Sequence, residues 1–194
     1  MSQLIGNHKE GLVFVVSAPA GTGKTTLVQK LVSEFSTIVS SISWTTRKPR
    51  EGEQDGVHYH FVTSEAFEQG IEEGEFLEYV RLYGDYYGTS KHWVEERLKK
   101  GHHVVLVIDT QGALQLMEKY PAIYIFLLPP SRDELRRRLL ERRSETDEVI
   151  EKRLAWADKE LPASKLYNYR IVNDDLETAY QVLRSIVIAE EHKK

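Results

Sequence analysis

Ala18-Pro-Ala-Gly-Thr-Gly-Lys-Thr25 brings two glycines, a lysine and a hydroxyl together within one short stretch. Backbone N–H groups around Gly21 and Gly23, with the positive end of a following helix, can face a chain of phosphates. Lys24 can reach the outer phosphates, and the Thr25 hydroxyl can face magnesium. A second group, Thr45-Thr-Arg-Lys-Pro-Arg50-Glu-Gly-Glu53, carries two guanidinium forks, Arg47 and Arg50, that can converge on one dianionic phosphate. Pro49 stiffens the segment between them. A third run holds Arg132, Arg136, Arg137, Arg138, Arg142, Arg143 and Arg153 among Glu134, Glu141, Glu145, Asp147 and Glu148. Most of it reads as a solvated helix laced with i,i+4 pairs.

The elements that must position these groups follow from hydrophobic spacing. The apolar run 12–16 enters the glycine loop, and Leu27, Val28, Leu31, Val32 and Phe35 leave it at helical spacing, so the context is strand, loop, helix. Ala18 stands where the loop consensus has its first glycine, which is tolerable if that position needs only a negative φ. Unbroken apolar runs recur at 104–108 and 123–128, a pattern suited to strands buried on both faces of a parallel sheet. Helices are expected over 24–35 and 92–100, after Gln111, and from about Ser131, whose hydroxyl can cap with Glu134 three residues on. A strand at 169–172 and a helix at 176–190 complete an α/β alternation.

Two insertions interrupt it, dividing the chain into a core (1–37, 94–129 and 162–194), an insertion at 38–93 with strand-like pieces such as 59–62 and 76–82, and a charged segment at 130–161. One insertion to hold an acceptor and one to close over a donor suits a two-substrate phosphotransferase, which must keep water from the phosphoryl group.

Composition bounds the partners. At 194 residues the chain fits one globular body with a sizeable core. A net charge of −4 argues against a chain-wide nucleic-acid binder, and the absence of cysteine excludes disulfides and thiolate metal sites. No run approaches the roughly 18 apolar residues of a membrane span, and no signal-peptide block opens the sequence. The expectation is a cytoplasmic protein with small-molecule partners, no nucleic acid and no membrane. Two histidines on one strand face, His58 and His60, lack a third ligand nearby, and His102 and His103 point to opposite sides.

Behind the glycine loop follow Tyr59 in His58-Tyr-His-Phe-Val62, Glu78 in Gly74-Glu-Phe-Leu-Glu-Tyr79, Tyr86-Tyr-Gly-Thr89, Asp109 in Val107-Ile-Asp-Thr-Gln-Gly112, and Ile171-Val-Asn-Asp-Asp-Leu176. In this order, with Ser43 and the Thr-Thr-Arg-Lys-Pro-Arg segment, they closely resemble guanylate kinase over nearly the whole chain. The resemblance implies an α/β P-loop nucleotide kinase fold: a parallel sheet core flanked by helices, with an inserted GMP-binding subdomain and a helical lid. It implies transfer of the γ-phosphoryl group of ATP to GMP, with dGMP a second acceptor and Mg2+ accompanying ATP. It assigns ATP to Ala18, Pro19, Ala20, Gly21, Thr22, Gly23, Lys24, Thr25, Thr26 and Asn173. GMP falls to Ser43, Arg47, Arg50, Tyr59, Glu78, Tyr87, Thr89 and Asp109.

By the same resemblance, catalysis falls to Lys24, Arg47, Arg138, Arg142 and Arg153. Thr25 is the direct magnesium ligand, while Asp109 holds a metal-bound water or the acceptor ribose. Chemistry agrees for the base: a carboxylate at Glu78 can accept both N1–H and the 2-amino group of guanine, the Ser43 hydroxyl or Thr89 can reach the purine edge, and adenine would set a lone pair against the carboxylate. Adjacent residues of an extended chain point oppositely, so only one of Tyr86 and Tyr87 is expected at the phosphate, and Tyr87 matches the family position. Asn173 reads equally well as a cap of the last helix. The family often has Asp-x-Asp before Gln-Gly, and Val107 here removes the first of that pair. A family module serving as a protein scaffold without turnover, a kinase for a phosphorylated sugar, and a GTPase are the competing readings. An intact Gly23-Lys24-Thr25, the Glu78 and Ser43 pair, and the lack of an Asn-Lys-x-Asp signature weigh against them in turn.

Overall fold

The computed structural model describes residues 4–141 and 146–193. In chain order its elements are β1 (Val13–Ser17), α1 (Lys24–Glu34), β2 (Ile38–Ser40), β3 (Trp44–Thr45), β4 (His60–Phe61), α2 (Ser64–Glu72), β5 (Phe76–Leu82), β6 (Asp85–Ser90) and α3 (Lys91–Lys99). They continue with β7 (His103–Val107), α4 (Thr110–Met117), β8 (Ile123–Leu128), α5 (Arg132–Glu141), α6 (Asp147–Glu160), a 3₁₀ turn (Leu161–Leu166), β9 (Tyr169–Val172) and α7 (Leu176–Glu191).

Five strands form a parallel sheet in the order β2-β7-β1-β8-β9. All five residues of β1 are buried, because helices cover both faces. Phe14 and Val16 pack with Leu27, Leu31, Leu183 and Val187 from α1 and α7. Val13 and Val15 face the other way, onto Val94, Ala113 and Leu116 from α3 and α4. β1 is therefore the centre of the sheet, and the chain moves to its left through α1 and to its right through α4. That reversal opens a crevice at the carboxyl ends of the strands, where ligands of open α/β sheets bind.

The insertion builds its own four-stranded sheet, β4-β3-β6-β5, mixed in direction. Phe67 of α2 stacks on Phe76 at 4.3 Å and on Tyr86 at 5.1 Å between ring centroids. Gly88 permits this approach, since a Cβ there would lie 2.9 Å from both Phe67 and Phe76. The charged segment forms a helical pair, α5 and α6, around a small core of Leu135, Leu139, Ile150, Leu154 and Ala157. Ser131 caps α5 by accepting from the Glu134 N–H at 3.1 Å, as its spacing suggests.

Two boundaries differ from the sequence expectation. Ile38–Ser40 pairs with β7 in the main sheet, so the insertion begins after Ser40 and not at residue 38. At the other end α3 starts at Lys91, before the expected break at 93. A three-residue edge strand of mixed polarity carries too little periodicity to be seen. No described helix is long and apolar enough to cross a membrane.

Because Phe67 is fully buried and joins α2 to the insertion's sheet, Phe67→Ala should destabilise that subdomain by about 3–5 kcal/mol. Urea unfolding followed by tryptophan fluorescence, which reports Trp44 there, checks this. A loss below about 1 kcal/mol would mean the stack is not what holds the sheet together.

Candidate active site

At the end of β1 the chain turns through Gly21 (φ 90°) and Gly23 (φ 91°), both in the left-handed region that glycine occupies without steric cost. Ala18 is not among the described residues of positive φ, which explains why the missing glycine costs nothing. Gly23 is the N-cap of α1, no side chain caps the first-turn N–H groups, and Lys24 and Thr25 of that turn line the crevice. Lys24 Nζ donates to the Ala18 carbonyl at 3.0 Å, arching back over its own loop. Thr25 and Thr26 are exposed, but only Thr25 lines the crevice.

Asn173 is buried and donates its amide to the Thr22 carbonyl at 2.7 Å, bracing the loop from behind. A Cβ on Gly23 would meet that amide nitrogen at 2.6 Å, so the second glycine is required for packing as well as for φ. The cap of α7 is Asp175, which accepts from the Thr178 N–H at 2.8 Å. The capping reading of Asn173 is thus replaced by a structural bond to the loop, available only because β9 ends beside it.

The crevice encloses about 370 Å³ and has the glycine loop on one wall and the insertion on the other. Ser43, Arg47, Arg50, Tyr59, Glu78 and Tyr87 all face it. Tyr87 sits edge-on to Tyr59 at 6.0 Å, while Tyr86 turns to the opposite face and stacks on Phe67. Arg47 is paired with Glu53, and its guanidinium lies 5.4 Å from the Tyr59 ring centre. Glu78 is 5% exposed and accepts the Thr89 hydroxyl at 2.7 Å. Thr89 itself is fully buried behind it, so Thr89 reaches a ligand only through Glu78 and not at the purine edge. Gly112 makes the room: a Cβ there would be 2.3 Å from Glu78 Oε2. Burial drives the Glu78 carboxyl up to about 7, with Asp109 adding to the rise and the Thr89 bond opposing it.

Asp109 caps α4 by accepting from the Gln111 and Gly112 N–H groups at 2.6 and 3.2 Å. Burial raises its carboxyl, and those two bonds and Lys24 pull it back. Glu160, at the end of α6, lines the same space and was missed in the sequence. Its carboxyl is raised by burial and lowered by Thr110 and Lys24. Burial in turn pushes the Lys24 ammonium down, against Glu160 and Asp109. The only signal that could have found Glu160 is its spacing from Arg153 and Trp156, which share its crevice-facing stripe at i, i+3 and i+7 of one helix.

Of the three arginines assigned to the lid, Arg153 lines the crevice. Arg138 does not. It donates to Glu134 at 2.7 Å and to the Asn173 and Asp174 carbonyls at 2.9 and 3.3 Å. Arg142 lies outside the described residues. His58 is taken up locally, accepting the Gln54 N–H, and among the described residues no three His, Asp or Glu side chains gather as a metal site.

A phosphate loop at the centre of a parallel sheet, facing an acceptor wall across one crevice, defines a P-loop kinase of the nucleoside monophosphate class. The guanylate kinase family model matches residues 11–190. The chain is 59% identical over 188 residues to the guanylate kinase of Protochlamydia amoebophila, spanning 97% of this chain and 95% of that one. It is 48% identical to the guanylate kinase of Aliivibrio fischeri, over 95% and 91% of the two chains. The crystal structure of guanylate kinase from Anaplasma phagocytophilum matches the fold with a TM-score of 0.80 at 34% identity, covering 99% of this chain and 91% of that one. The chain belongs to the guanylate kinase family.

If Glu78 must be ionised to accept two donors from guanine, affinity for the base should fall as pH drops through about 7. Guanosine has no phosphate of its own to titrate, so calorimetry with it isolates this group. The expected loss from pH 8 to pH 6 is about tenfold, and Glu78→Gln should flatten the profile. A wild-type affinity that does not change over that range would show that another group reads the base.

Proposed function

We propose that this chain transfers the γ-phosphoryl group of ATP to GMP, and to dGMP, giving ADP and the guanosine diphosphate, with the acceptor held by the insertion and the donor by the glycine loop. The observation that carries this reading is that Lys24 and Thr25 share one crevice with Arg47, Arg50, Tyr59, Tyr87 and Glu78. An ionised phosphate oxygen attacks, so no side chain need remove a proton, and the barrier is mainly the cost of bringing two polyanions together in line. At about 4 Å and an effective dielectric of about 20, each pair of like charges costs about 4 kcal/mol.

Arg47, Arg50 and the tyrosine hydroxyls take the acceptor phosphate, while Glu78, with Ser43 nearby, takes the guanine. The α1 N–H groups and Lys24 take the donor phosphates, and Lys24 leaves the Ala18 carbonyl to do so. Arg153 reaches the transferring group from α6. Among the described residues, the crevice lining has four cations (Lys24, Arg47, Arg50 and Arg153) and four carboxylates (Glu53, Glu78, Asp109 and Glu160). Those carboxylates offset part of the basic charge that would meet two sets of phosphates, and a divalent cation would supply what they take away.

The donor set available is the Thr25 hydroxyl directly, with the Asp109 and Glu160 carboxylates near Lys24, all hard oxygens suited to Mg2+. Bound with ATP, Mg2+ would supply charge neutralisation at the β- and γ-phosphates. The Val107 side chain contributes no oxygen to it. The small-molecule partners and the absence of a membrane-spanning helix among the described residues accord with a cytoplasmic enzyme of purine nucleotide metabolism.

ADP release measured with a panel of nucleoside and sugar monophosphates tests the reading: turnover should be confined to GMP and dGMP and should vanish with chelator. Lys24→Met should lower turnover by at least about 10²-fold while leaving GMP affinity essentially unchanged. A comparable loss of GMP affinity would contradict the separation of the two sites.

A further inference from the structure

Glu53 belongs to the arginine segment but has no part in the assignments above. Its carboxylate accepts from Arg47 Nη2 through both oxygens, at 2.8 and 2.9 Å, and from the Arg50 main-chain N–H at 2.7 Å. Arg47 Nη1 meanwhile donates to the Lys48 carbonyl at 2.7 Å, and the guanidinium lies over the rings of Tyr59 and Phe61. The Arg47 and Glu53 side chains are 15% and 18% exposed, so this pair is largely shielded from water. Arg47 holds the Glu53 carboxyl below its ordinary range, with the Arg50 N–H and charge adding to the effect.

A carboxylate beside a phosphate site admits two opposite roles. It can compete with the ligand for the arginine, or it can hold the arginine in the geometry the ligand needs. The local backbone decides between them. Glu53 closes a turn in which its own N–H donates to the Arg50 carbonyl at 3.0 Å, with Gly52 at φ +81° inside it. Its position is thus fixed by the main chain on both sides, and it does not depend on Arg47 to stay. Arg47 and Arg50 both line the crevice, and two guanidinium groups aimed at one anion repel each other until it arrives. A fixed carboxylate paired with Arg47, and close enough to Arg50 to feel its charge, offsets that repulsion and removes rotamer freedom from a long side chain before binding.

We propose that Glu53 is a positioning residue for the acceptor phosphate: it pre-orients Arg47, and through the turn Arg50, to receive a nucleoside monophosphate. The inference rests on the functional reading above. Because its effect passes only through the phosphate, it is separable from base recognition and from the donor site.

The test is calorimetric affinity for GMP and for guanosine in the wild type, Glu53→Gln, Glu53→Ala and Glu53→Asp, together with steady-state KM for ATP. Truncating one partner of a shielded charge pair should weaken GMP by about 10- to 100-fold in the Gln and Ala variants. Guanosine affinity and KM for ATP should stay at wild-type values, and Glu53→Asp should recover part of the loss. Equal or tighter GMP binding by Glu53→Gln would overturn the proposal in favour of competition. Parallel losses of GMP and guanosine would overturn it by showing a general disturbance of the subdomain. A wild-type chain that binds GMP no better than guanosine would instead sink the underlying functional reading.

Discussion

Two nucleotides that both end in negative charge must meet phosphate to phosphate, in a crevice that mixes basic and acidic side chains. Among the described residues its lining sets four acidic groups against four basic ones, so net charge alone is a poor source of attraction. On the proposed reading it comes from direction: amide N–H groups at a helix start, guanidinium forks held in place, and a lysine placed to exchange the Ala18 carbonyl for phosphate. Groups fixed before binding cost no reorganisation at the moment of reaction, and this is why the bracing contacts matter as much as the ligating ones.

The fold serves that requirement at several removes. β1 is buried on both sides and lies at the centre of the sheet, which makes the loop at its end a rigid platform. Asn173, delivered by the neighbouring edge of the sheet, fastens the loop at the Thr22 carbonyl. On the opposite wall, Phe67 fixes the insertion's sheet so that Tyr87 and Glu78 face inward while Tyr86 faces away. Gly112 at the start of α4 leaves the space that Glu78 fills. The α6 stripe of Arg153, Trp156 and Glu160 closes the third side, with Tyr83 of the β5–β6 turn lying 6.0 Å from Trp156 across the mouth.

Local rules were enough for much of this. Strand, loop and helix around Lys24 are legible because apolar periodicity changes from unbroken to helical on either side of the glycines. The opposite facing of Tyr86 and Tyr87 follows from the two-residue period of a strand. What was not legible depends on contacts between residues far apart in the chain. Thr89 stands behind Glu78 because β5 and β6 pair in that register, and Arg138 is occupied by carbonyls of Asn173 and Asp174, 35 and 36 residues away. Glu160 looks like one more charge on a solvated helix until the fold carries it to Lys24. Glu53 was in plain view within its motif, yet only the closed turn shows what it holds.

The most direct test is the affinity of a single ligand in which adenosine and guanosine are joined through their 5′ phosphates. If both anions occupy one crevice, it should bind one per chain and far more tightly than ATP or GMP alone, since the second contact becomes intramolecular, and Glu78→Gln should reduce that gain. Binding no tighter than the better of the two separate nucleotides would contradict the account.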